Sequence, residues 1–294
     1  MNLQQRIASL RSLSVGQVTH DRYCEAIVPG GCAFFGARCA LGLGARSDLL
    51  TAVGDDFLCA EDLAGLTLHM LTGGSTTVFT NSYPEGGLRV QHVETQARDI
   101  TTGDLPKNLC NPDLLFLAPV MGEIDPSDPW QQVVQAAYTT LSLQGFLKKG
   151  ESGHRGRRVV VKDDRIIPDQ LFQGVDALFF SEEDLDLFGS PQLFLRLRDL
   201  VPLIFVTAGE RGCTVYSAEK VENTGIFPTT TVDPTGAGDT FAMATSLGLA
   251  AGLSARHAAL LGSAAASVVV EDQGSRSLGR IGETYRRFEA LCSS

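Results

Sequence analysis

One acidic residue and three small residues near the carboxyl end of the chain could do chemistry on a phosphate. They lie in the run Asp233-Pro-Thr-Gly-Ala-Gly-Asp-Thr240, which ends an extended segment and opens a long apolar helix. Gly236, Ala237 and Gly238 would bring bare backbone N–H groups to the helix N-terminus, where unpartnered donors and the macrodipole attract anions. Asp239 puts a carboxylate in the same site, where it would repel a phosphate unless it acts on an incoming hydroxyl group. The combination indicates phosphoryl transfer.

The spacing of this run excludes two better-known phosphate motifs. No Lys-Ser or Lys-Thr follows the glycines, as a Walker P-loop requires. The Gly-x-Gly-x-x-Gly spacing of a dinucleotide-binding turn is also missing. A Gly-rich turn before a helix is most often only a turn, but here Pro234 fixes its entry angle and Thr235 is predicted to cap the helix.

Composition limits the classes of protein to consider. With 294 residues, 44% of them hydrophobic, the chain could form one large α/β domain or two smaller ones. A formal net charge of −10 argues against nucleic-acid and anionic-membrane partners, although it does not exclude ATP. Seven scattered cysteines and five dispersed histidines suggest neither a disulfide framework nor a transition-metal site. Without an apolar leader or an 18-residue apolar stretch, the sequence predicts a soluble cytoplasmic protein.

Strand-like and helical segments alternate along most of the chain, which predicts a mainly parallel sheet covered on both faces. The predicted strands are 12–18, 48–53, 114–117, 158–161, 177–180 and 203–206. The predicted helices are 31–43, 57–71, 128–138, 191–200, 240–253 and 256–270.

One region breaks the alternation. Residues 76–93 have the pattern of a hairpin around a Ser-Tyr-Pro-Glu-Gly-Gly turn, and residues 18–28 look extended. Segments of about 18–29 and 76–94 are therefore predicted to form a small β lid on a single domain spanning 1–294. A lid would cover a ligand and exclude water, which a kinase needs to avoid hydrolysing its donor. An ordinary surface hairpin is the alternative.

These motifs resemble the ribokinase-like (PfkB) family of carbohydrate kinases over nearly the whole chain. The family's C-terminal signature is similar to Asp233-Pro-Thr-Gly-Ala-Gly-Asp-Thr-Phe241. The other similar segments are Val15-Gly-Gln-Val-Thr-His-Asp21, Gly30-Gly31, Gly42-Leu-Gly44, Val53-Gly-Asp-Asp56 and Val206-Thr-Ala-Gly-Glu-Arg-Gly212. The resemblance implies a three-layer α/β/α fold with a mainly parallel central sheet and a small β lid.

The resemblance also implies a role for each matching residue. Asp239 would be the base that accepts the proton of the substrate hydroxyl as it attacks the γ-phosphate of ATP, with Mg²⁺ as the cofactor. The N–H groups of Gly236, Ala237 and Gly238 would form the anion hole. The residues that would contact the substrate are Asp21, Gly30 and Gly31, and those that would line the nucleotide site are Thr207, Gly209 and Gly212.

The chain departs from the family pattern at two places. Many sugar kinases have an Asn four residues after the Gly-Gly pair, where this chain has Phe35. That ring would suit a ring-shaped substrate with fewer polar demands, or would fill the core. The family's Asn-x-x-Glu element appears as Ser181-Glu-Glu-Asp184, which makes Asp184 a candidate for Mg²⁺ contact through water. Glu123 is a second metal candidate, with an exposed residue at a helix start as the alternative.

A narrower resemblance bears on the substrate. Residues 79–89, 118–124 and 143–148 resemble a branch that contains plant-type myo-inositol kinases, which implies a cyclitol or sugar substrate. Arg89, on the predicted lid, could reach substrate or phosphate, or be a surface arginine. A nucleoside kinase, with Phe34 or Phe35 against the base, stays open, as does a non-catalytic ligand-binding protein on the same fold. A homodimer formed through the lid is also left open.

Overall fold

In the described part of the chain, nine strands form a main sheet, and most neighbours in it are parallel. The computed structural model describes residues 1–23, 26–82, 90–152, 158–188 and 191–293. The strands of the main sheet are β1 (Arg11–Val15), β4 (Arg46–Val53), β5 (Thr67–Thr72), β8 (Leu114–Leu117), β9 (Tyr138–Ser142), β12 (Ala177–Ser181), β13 (Leu203–Thr207), β14 (Cys213–Ser217) and β15 (Val221–Thr224). Their order is β15-β14-β13-β12-β9-β8-β1-β4-β5, and only the pairs β13–β14 and β14–β15 are antiparallel.

Helices cover both faces of the main sheet. They are α1 (Leu3–Ser9), α2 (Cys32–Gly42), α3 (Trp130–Val133), α4 (Glu182–Phe188), α5 (Pro191–Leu200), α6 (Ala237–Ala250), α7 (Ala255–Val269) and α8 (Thr284–Ser293). Successive side chains of a strand point to opposite faces, so an entirely apolar strand needs cover on both. In β8, Leu114 and Phe116 pack into the core under α2, α6 and α7, whereas Leu115 and Leu117 pack into the core around Trp130. The three-layer α/β/α fold with a mainly parallel central sheet, predicted from the sequence, is confirmed.

Small residues in α6 and α7 bring these two helices close together. A Cβ atom on Gly262 of α7 would lie 2.8 Å from the carbonyl oxygen of Phe241 in α6. Such a distance is shorter than real contacts allow, so only glycine permits this approach. At Gly262, the small residue therefore serves helix packing.

A second sheet lies apart from the main one. Its strands are β2 (Thr19–Tyr23), β3 (Ala26–Gly30), β6 (Val78–Ser82), β7 (Val90–Thr95), β10 (Lys148–Ser152) and β11 (Arg158–Lys162). Their order is β10-β11-β7-β6-β2-β3. The sheet contains the two segments predicted for a lid and also 148–162, which was not predicted to belong to it. Residues 158–161 are therefore half-buried in the second sheet and are not a core strand of the main one.

Two predicted helices are wrong. Residues 57–71 form a 3₁₀ turn (Ala60–Leu63) followed by edge strand β5, because Gly65, at φ +86°, interrupts the helix and pairing with β4 satisfies the backbone. Residues 128–138 contain only the one-turn helix α3 before β9 begins. The apolar signal of β9 is diluted by Thr139, Thr140 and Ser142, although the strand pairs on both sides and is almost fully buried.

Candidate active site

A cavity of about 340 Å³ lies at the carboxyl ends of the parallel strands, beneath the second sheet. This end of an open parallel sheet is where ligands bind in α/β folds, because loops and helix N-termini converge there. Its wall includes the ends of β9, β12 and β13, the first residues of α2 and α6, and side chains from β2, β6 and β7. Predicted site residues that are far apart in the sequence therefore lie around one cavity.

A larger cavity, of about 430 Å³, surrounds α3. Its wall is rich in glutamine side chains, such as Gln131, Gln135 and Gln170, and it contains none of the residues predicted for the site. The chemistry of the predicted residues belongs to the cavity beneath the second sheet.

The loop before α6 is shaped by the side chain of Asp233. One of its carboxylate oxygens accepts a hydrogen bond from the Thr235 N–H at 2.9 Å and the other from the Gly274 N–H at 3.0 Å. Gly236 is the N-cap of α6, with φ +78° and no side-chain cap, so Thr235 does not cap the helix as predicted. The Ala237 N–H donates to the carbonyl of Pro234 at 3.1 Å, so it already has a partner within the loop.

Phe35 lies directly against this loop. Its side chain is 1% exposed, and a Cβ atom on Gly236 would come closer than 3.0 Å to three carbons of its ring. Phe35 thus packs in the core and lines the cavity at the same time. The ring therefore fills the core, as one interpretation from sequence has it, and supports the loop before α6, whereas its contact with a substrate stays a prediction.

Asp239 lies in the first turn of α6, half-buried in the wall of the cavity. Burial raises the pKa of its carboxyl above the ordinary value, and the negative charge of Asp184 adds to that effect. The nearby thiol of Cys32 and the positive charge of Lys148 act in the opposite direction. A carboxylate with a raised pKa is a stronger proton acceptor than an exposed one, which suits a general base.

Asp21 projects from β2 into the same cavity. The Thr19 hydroxyl donates to one of its oxygens at 2.9 Å. Gly30 lies behind Asp21, where any Cβ would collide with the carboxylate, and is not part of the cavity wall. Gly31, with φ +99°, lines the cavity and is the N-cap of α2. Gly30 thus makes room for the Asp21 carboxylate, whereas Gly31 makes room for the backbone carbonyl of Gln17 at the start of α2.

Only part of the segment predicted to bind a nucleotide lines the cavity beneath the second sheet. Thr207, at the end of β13, and Gly209 line the cavity. Gly212 does not line it: with φ +88° it turns the chain into β14, and its Cα packs against the carbonyl of Thr224. The positive φ accounts for this glycine without a ligand.

The two candidate metal residues differ in their surroundings. Asp184 lines the cavity and forms a capping box with Ser181 at the start of α4: its carboxylate accepts from the Ser181 N–H at 2.9 Å and from its hydroxyl at 2.7 Å. The other oxygen of Asp184 accepts from the Gln144 side chain at 3.0 Å.

Glu123 is wholly buried, so the expectation of an exposed position is wrong. Its carboxylate accepts from the backbone N–H groups of Gln17, Val120 and Met121 at 2.8–3.1 Å. Burial raises the pKa of this group, whereas these hydrogen bonds lower it. Glu123 joins two loops and does not line the cavity. Within the described residues, no group of three or more His, Cys, Asp or Glu side chains is arranged to hold a metal ion.

Sequence reasoning missed several residues of the wall. Lys148, at the start of β10, is 6% exposed, lines the cavity and lies near enough to Asp239 to lower its pKa. The wall also includes Cys32, Ser142 and Gln91. The sequence offers one indication of Lys148: it ends the 143–148 segment, whose resemblance bears on the substrate. Arg89 lies outside the described residues.

Comparison with known proteins adds a family match. The model of the pfkB family carbohydrate kinases matches residues 160–279. Inositol 3-kinase of Arabidopsis thaliana is 26% identical over 283 residues, covering 92% of this chain and 76% of that protein. A nucleoside kinase of Methanothermobacter thermautotrophicus is 34% identical over 96 residues, covering 32% of this chain and 31% of that protein.

Two solved structures are similar over most of the chain. A pyrophosphate-dependent kinase in the ribokinase family, complexed with a pyrophosphate analog and myo-inositol, aligns with a TM-score of 0.73 and 19% identity, covering 90% of this chain and 96% of that one. Arabidopsis thaliana ribokinase, complexed with ribose and ATP, aligns with a TM-score of 0.74 and 19% identity, covering 95% and 99%. No helix among the described residues has the length and apolarity needed to span a bilayer.

Proposed function

We propose that this chain is a kinase of the pfkB carbohydrate kinase family and that it transfers a phosphoryl group to a hydroxyl of a cyclitol, with myo-inositol as the favoured acceptor. The observation that carries the proposal is the position of Asp239, a half-buried carboxylate in the first turn of α6, facing a cavity that also holds Asp21 and Lys148. A base, a hydroxyl-binding carboxylate and a cation then share one cavity.

The proposed reaction is an in-line transfer. Asp21 accepts hydrogen bonds from acceptor hydroxyl groups and so holds the ring beneath the second sheet. Asp239 takes the proton of the attacking hydroxyl, whose oxygen forms a bond to the terminal phosphorus of the donor. The bond from that phosphorus to its leaving oxygen breaks, and the leaving phosphate keeps the electron pair. Such a reaction depends on positioning and charge stabilisation more than on covalent chemistry.

Charge that develops on the phosphate is stabilised from two sides. Gly236 and Gly238 offer backbone N–H groups at the N-terminus of α6, and Lys148 offers an ammonium group from β10. The contribution of Ala237 is smaller than the sequence suggests, because its N–H also bonds to Pro234. The second sheet, as a lid, would keep water from the donor.

The oxygen donors of this site could hold Mg²⁺ through the water molecules bound to the ion. Mg²⁺ keeps several waters and binds through one or two carboxylates together with substrate phosphates. Asp184 lines the cavity, but both its oxygens already accept hydrogen bonds, so it would hold a water of the ion. When bound, the ion would neutralise phosphate charge. Glu123 is not proposed as a ligand, because its oxygens are occupied by backbone N–H groups.

ATP is the proposed donor, with Thr207 and Gly209 beside the nucleotide. Both line the cavity next to the loop before α6. Since one similar structure is that of a pyrophosphate-dependent kinase and another holds ATP, both donors need to be compared directly.

A cyclitol suits the wall better than a nucleoside does. Its hydroxyl groups surround a ring with apolar faces, and the wall combines Asp21 and Gln91 with Phe79 and Val120. A nucleobase needs an open aromatic face for stacking, yet the aromatic side chains of the wall are at most 5% exposed, and Phe34 is not among them. The local match to a nucleoside kinase makes that activity the second candidate.

The test is a product screen by mass spectrometry. The acceptors are myo-inositol, its stereoisomers, ribose, fructose and several nucleosides, each with ATP or pyrophosphate and Mg²⁺, and Asp239→Asn is the control. We expect a phosphorylated cyclitol, formed with kcat/KM at least about tenfold above any nucleoside. Phosphorylation of nucleosides alone would overturn the cyclitol assignment. Equal, background-level product from both proteins would support a non-catalytic ligand-binding role.

A further inference from the structure

Glu123 is a buried carboxylate for which the proposed reaction has no use so far. It follows β8, its side chain is 0% exposed, and it does not line the cavity. Its oxygens accept hydrogen bonds from the backbone N–H groups of Gln17 at 3.1 Å, Val120 at 2.8 and 3.0 Å, and Met121 at 2.9 Å. All of these groups are donors, which suits an ionised side chain that only accepts. Because bonds to a buried charge are strong and costly to lose, the carboxylate fixes the backbone that it contacts.

The loop that Glu123 holds supports both the cavity and the second sheet. Val120 lines the cavity. Met121 forms a small buried cluster with Phe79 of β6 and Val93 of β7, two strands of the second sheet. One carboxylate therefore sets the position of a wall residue and of a residue that packs against the sheet above it.

Gln17 extends this contact to the places where the chain crosses between the two sheets. It lies between the end of β1, in the main sheet, and the start of β2, in the second sheet. Its side-chain amide donates to the carbonyls of Ala97 at 3.2 Å and Arg98 at 2.9 Å, shortly after β7. Its side-chain oxygen accepts from the hydroxyl of Thr77, directly before β6, and that hydroxyl accepts from the Ala97 N–H at 2.9 Å. Three crossings, before β2, before β6 and after β7, are thus hydrogen-bonded to one another beside Glu123.

A fourth crossing, from β9 to β10, contacts the same loop. The Gly122 N–H donates to the carbonyl of Gly145 at 2.8 Å. A Cβ atom on Gly145 would lie 2.0 Å from the carbonyl oxygen of Pro119, an approach that only glycine permits. β10 begins soon afterwards with Lys148, the cation of the proposed site. The loop held by Glu123 therefore also supports the segment that leads to Lys148.

We propose, on the basis of the kinase reaction proposed above, that Glu123 is a positioning residue for the lid: its carboxylate fixes the junction from which the second sheet extends over the cavity. Asp21 and Lys148 reach the cavity from that sheet. A displaced junction would move the acceptor-binding carboxylate and the phosphate-binding cation together, and would admit water to the donor. Asp239 lies on α6, outside the junction, so the base itself would stay in place.

Amide hydrogen exchange, followed by mass spectrometry, tests the junction without turnover. Glu123→Gln keeps the shape of the side chain but places an NH₂ group where a carboxylate oxygen accepts from backbone N–H groups. We expect exchange in β2, β6 and β7 to become at least about tenfold faster, whereas β12 and β13 of the main sheet stay within about twofold of the wild type. Thr77→Val removes one hydroxyl group from the same junction and should give a smaller increase in the same three strands.

Asp125→Asn is the matched control. Asp125 is a carboxylate close to Glu123 in sequence, and its side chain accepts from the N–H of Ser127 at 2.8 Å and from the Ser127 hydroxyl at 2.6 Å, within its own turn. Exchange and kinetic constants of this variant should stay within about twofold of the wild type, as for most exposed substitutions.

Two kinetic readouts separate positioning from a general loss of stability. In Glu123→Gln the KM of the cyclitol should rise about three- to tenfold, and the ratio of donor hydrolysis to phosphoryl transfer should rise at least about threefold. The acid limb of the kcat–pH profile, which belongs to Asp239, should not move.

Each contrary outcome overturns a definite part of the proposal. Unchanged exchange in β2, β6 and β7 of Glu123→Gln would show that the carboxylate does not fix the second sheet; if that variant does not fold, the same result in Thr77→Val would show it. Equally faster exchange in both sheets, with a lower melting temperature, would make Glu123 an ordinary core residue. Faster exchange with a wild-type KM and hydrolysis ratio would show that the junction does not position the acceptor.

Failure of the proposed function has a different signature. A wild-type protein that phosphorylates no acceptor, together with faster exchange confined to the second sheet in Glu123→Gln, would overturn the kinase reaction and the kinetic role of Glu123. The structural junction would stand in that case.

Discussion

Replacement of Gly236 by alanine tests how the anion-binding loop is held. Gly236 has φ +78°, in the left-handed region, and its Cα faces the ring of Phe35. An added methyl group would come closer than 3.0 Å to three ring carbons of a side chain that is itself fully packed. Neither partner can move without disturbing the start of α6, where Asp239 lies.

Two costs combine in the size of the effect. A left-handed conformation costs a non-glycine residue about 1–2 kcal/mol. Overpacking a filled core costs about 1–3 kcal/mol more. We therefore expect Gly236→Ala to lower the free energy of unfolding by about 2–5 kcal/mol. Since a displacement of about 1 Å can cost a factor of about 100 in rate, kcat/KM should fall by about two orders of magnitude.

The assay is a double-mutant cycle with Phe35→Leu, which removes the two outer ring carbons that the methyl group would strike. Free energies of unfolding come from urea titrations, and kcat/KM comes from initial rates at saturating donor. We expect the double variant to be more stable than the sum of the single effects predicts, by about 0.5–3 kcal/mol. Gly238→Ala is the matched control for stability, since its Cβ would meet nothing within 4 Å. In that variant the free energy of unfolding should be unchanged or higher by about 0.5–1 kcal/mol.

Strict additivity in this cycle would refute the contact between Phe35 and the loop. A Gly236→Ala variant as stable as the wild type would refute the strained position of this glycine.

Three further predictions concern the charged groups. Lys148→Met should lower kcat/KM about 10- to 100-fold, with partial recovery in Lys148→Arg. Lys149→Met is the matched control, because Lys149 is the next residue on β10 and its ammonium lies 4.0 Å from Asp163. A similar loss of kcat/KM in that variant would contradict the role of Lys148. Because burial raises the pKa of Asp239, kcat should fall with decreasing pH along a limb above about pH 4, and a profile flat to pH 4 would refute an Asp239 base. The pKa of Glu271 is held at about 2, below its ordinary 4.5, by Arg287, Thr229 and Arg280. The stability gained from this ionised group is therefore complete above pH 4.5 and is lost as pH falls toward 2. Glu271→Gln should therefore be less stable by about 1–2 kcal/mol at pH 7, allowing for solvent screening, and the gap should close in that acidic window; a gap independent of pH would contradict the assignment.

The fold was largely predictable because buried strands are continuous apolar runs and buried helices repeat apolar residues at helical spacing. Residues 114–117, 177–180 and 203–206 are apolar without interruption, and each forms a strand of the main sheet. The failures at 57–71 and 128–138 have local causes. In the first, Gly65 at φ +86° interrupts the helical pattern and the half-exposed edge strand β5 follows. In the second, the buried strand β9 contains hydroxyl side chains, and that of Thr140 donates to the Leu115 carbonyl of β8 and accepts from Ser246 of α6.

The site was predictable where a short motif carries its chemistry. Asp239 follows Gly236 by three residues, so the spacing alone suggests a base beside an anion loop. Lys148, Cys32 and Ser142 come from three different elements, β10, α2 and β9, and only the folded chain brings them to the same cavity. Glu123 is the opposite case. The sequence suggests that it is a metal ligand, but its carboxylate accepts hydrogen bonds from backbone N–H groups and so holds two loops together.

Asp239→Asn tests the central claim most directly, when turnover, donor binding and stability are measured on the same preparation. If Asp239 is the base, kcat for the accepted cyclitol should fall about 10²–10⁴-fold, while the donor Kd stays within about threefold. Because the ionised, half-buried carboxylate of Asp239 has a raised pKa, it lowers stability at neutral pH, so the amide should raise the free energy of unfolding by about 0.5–2 kcal/mol. Wild-type turnover in a stably folded Asp239→Asn protein would contradict the proposed mechanism.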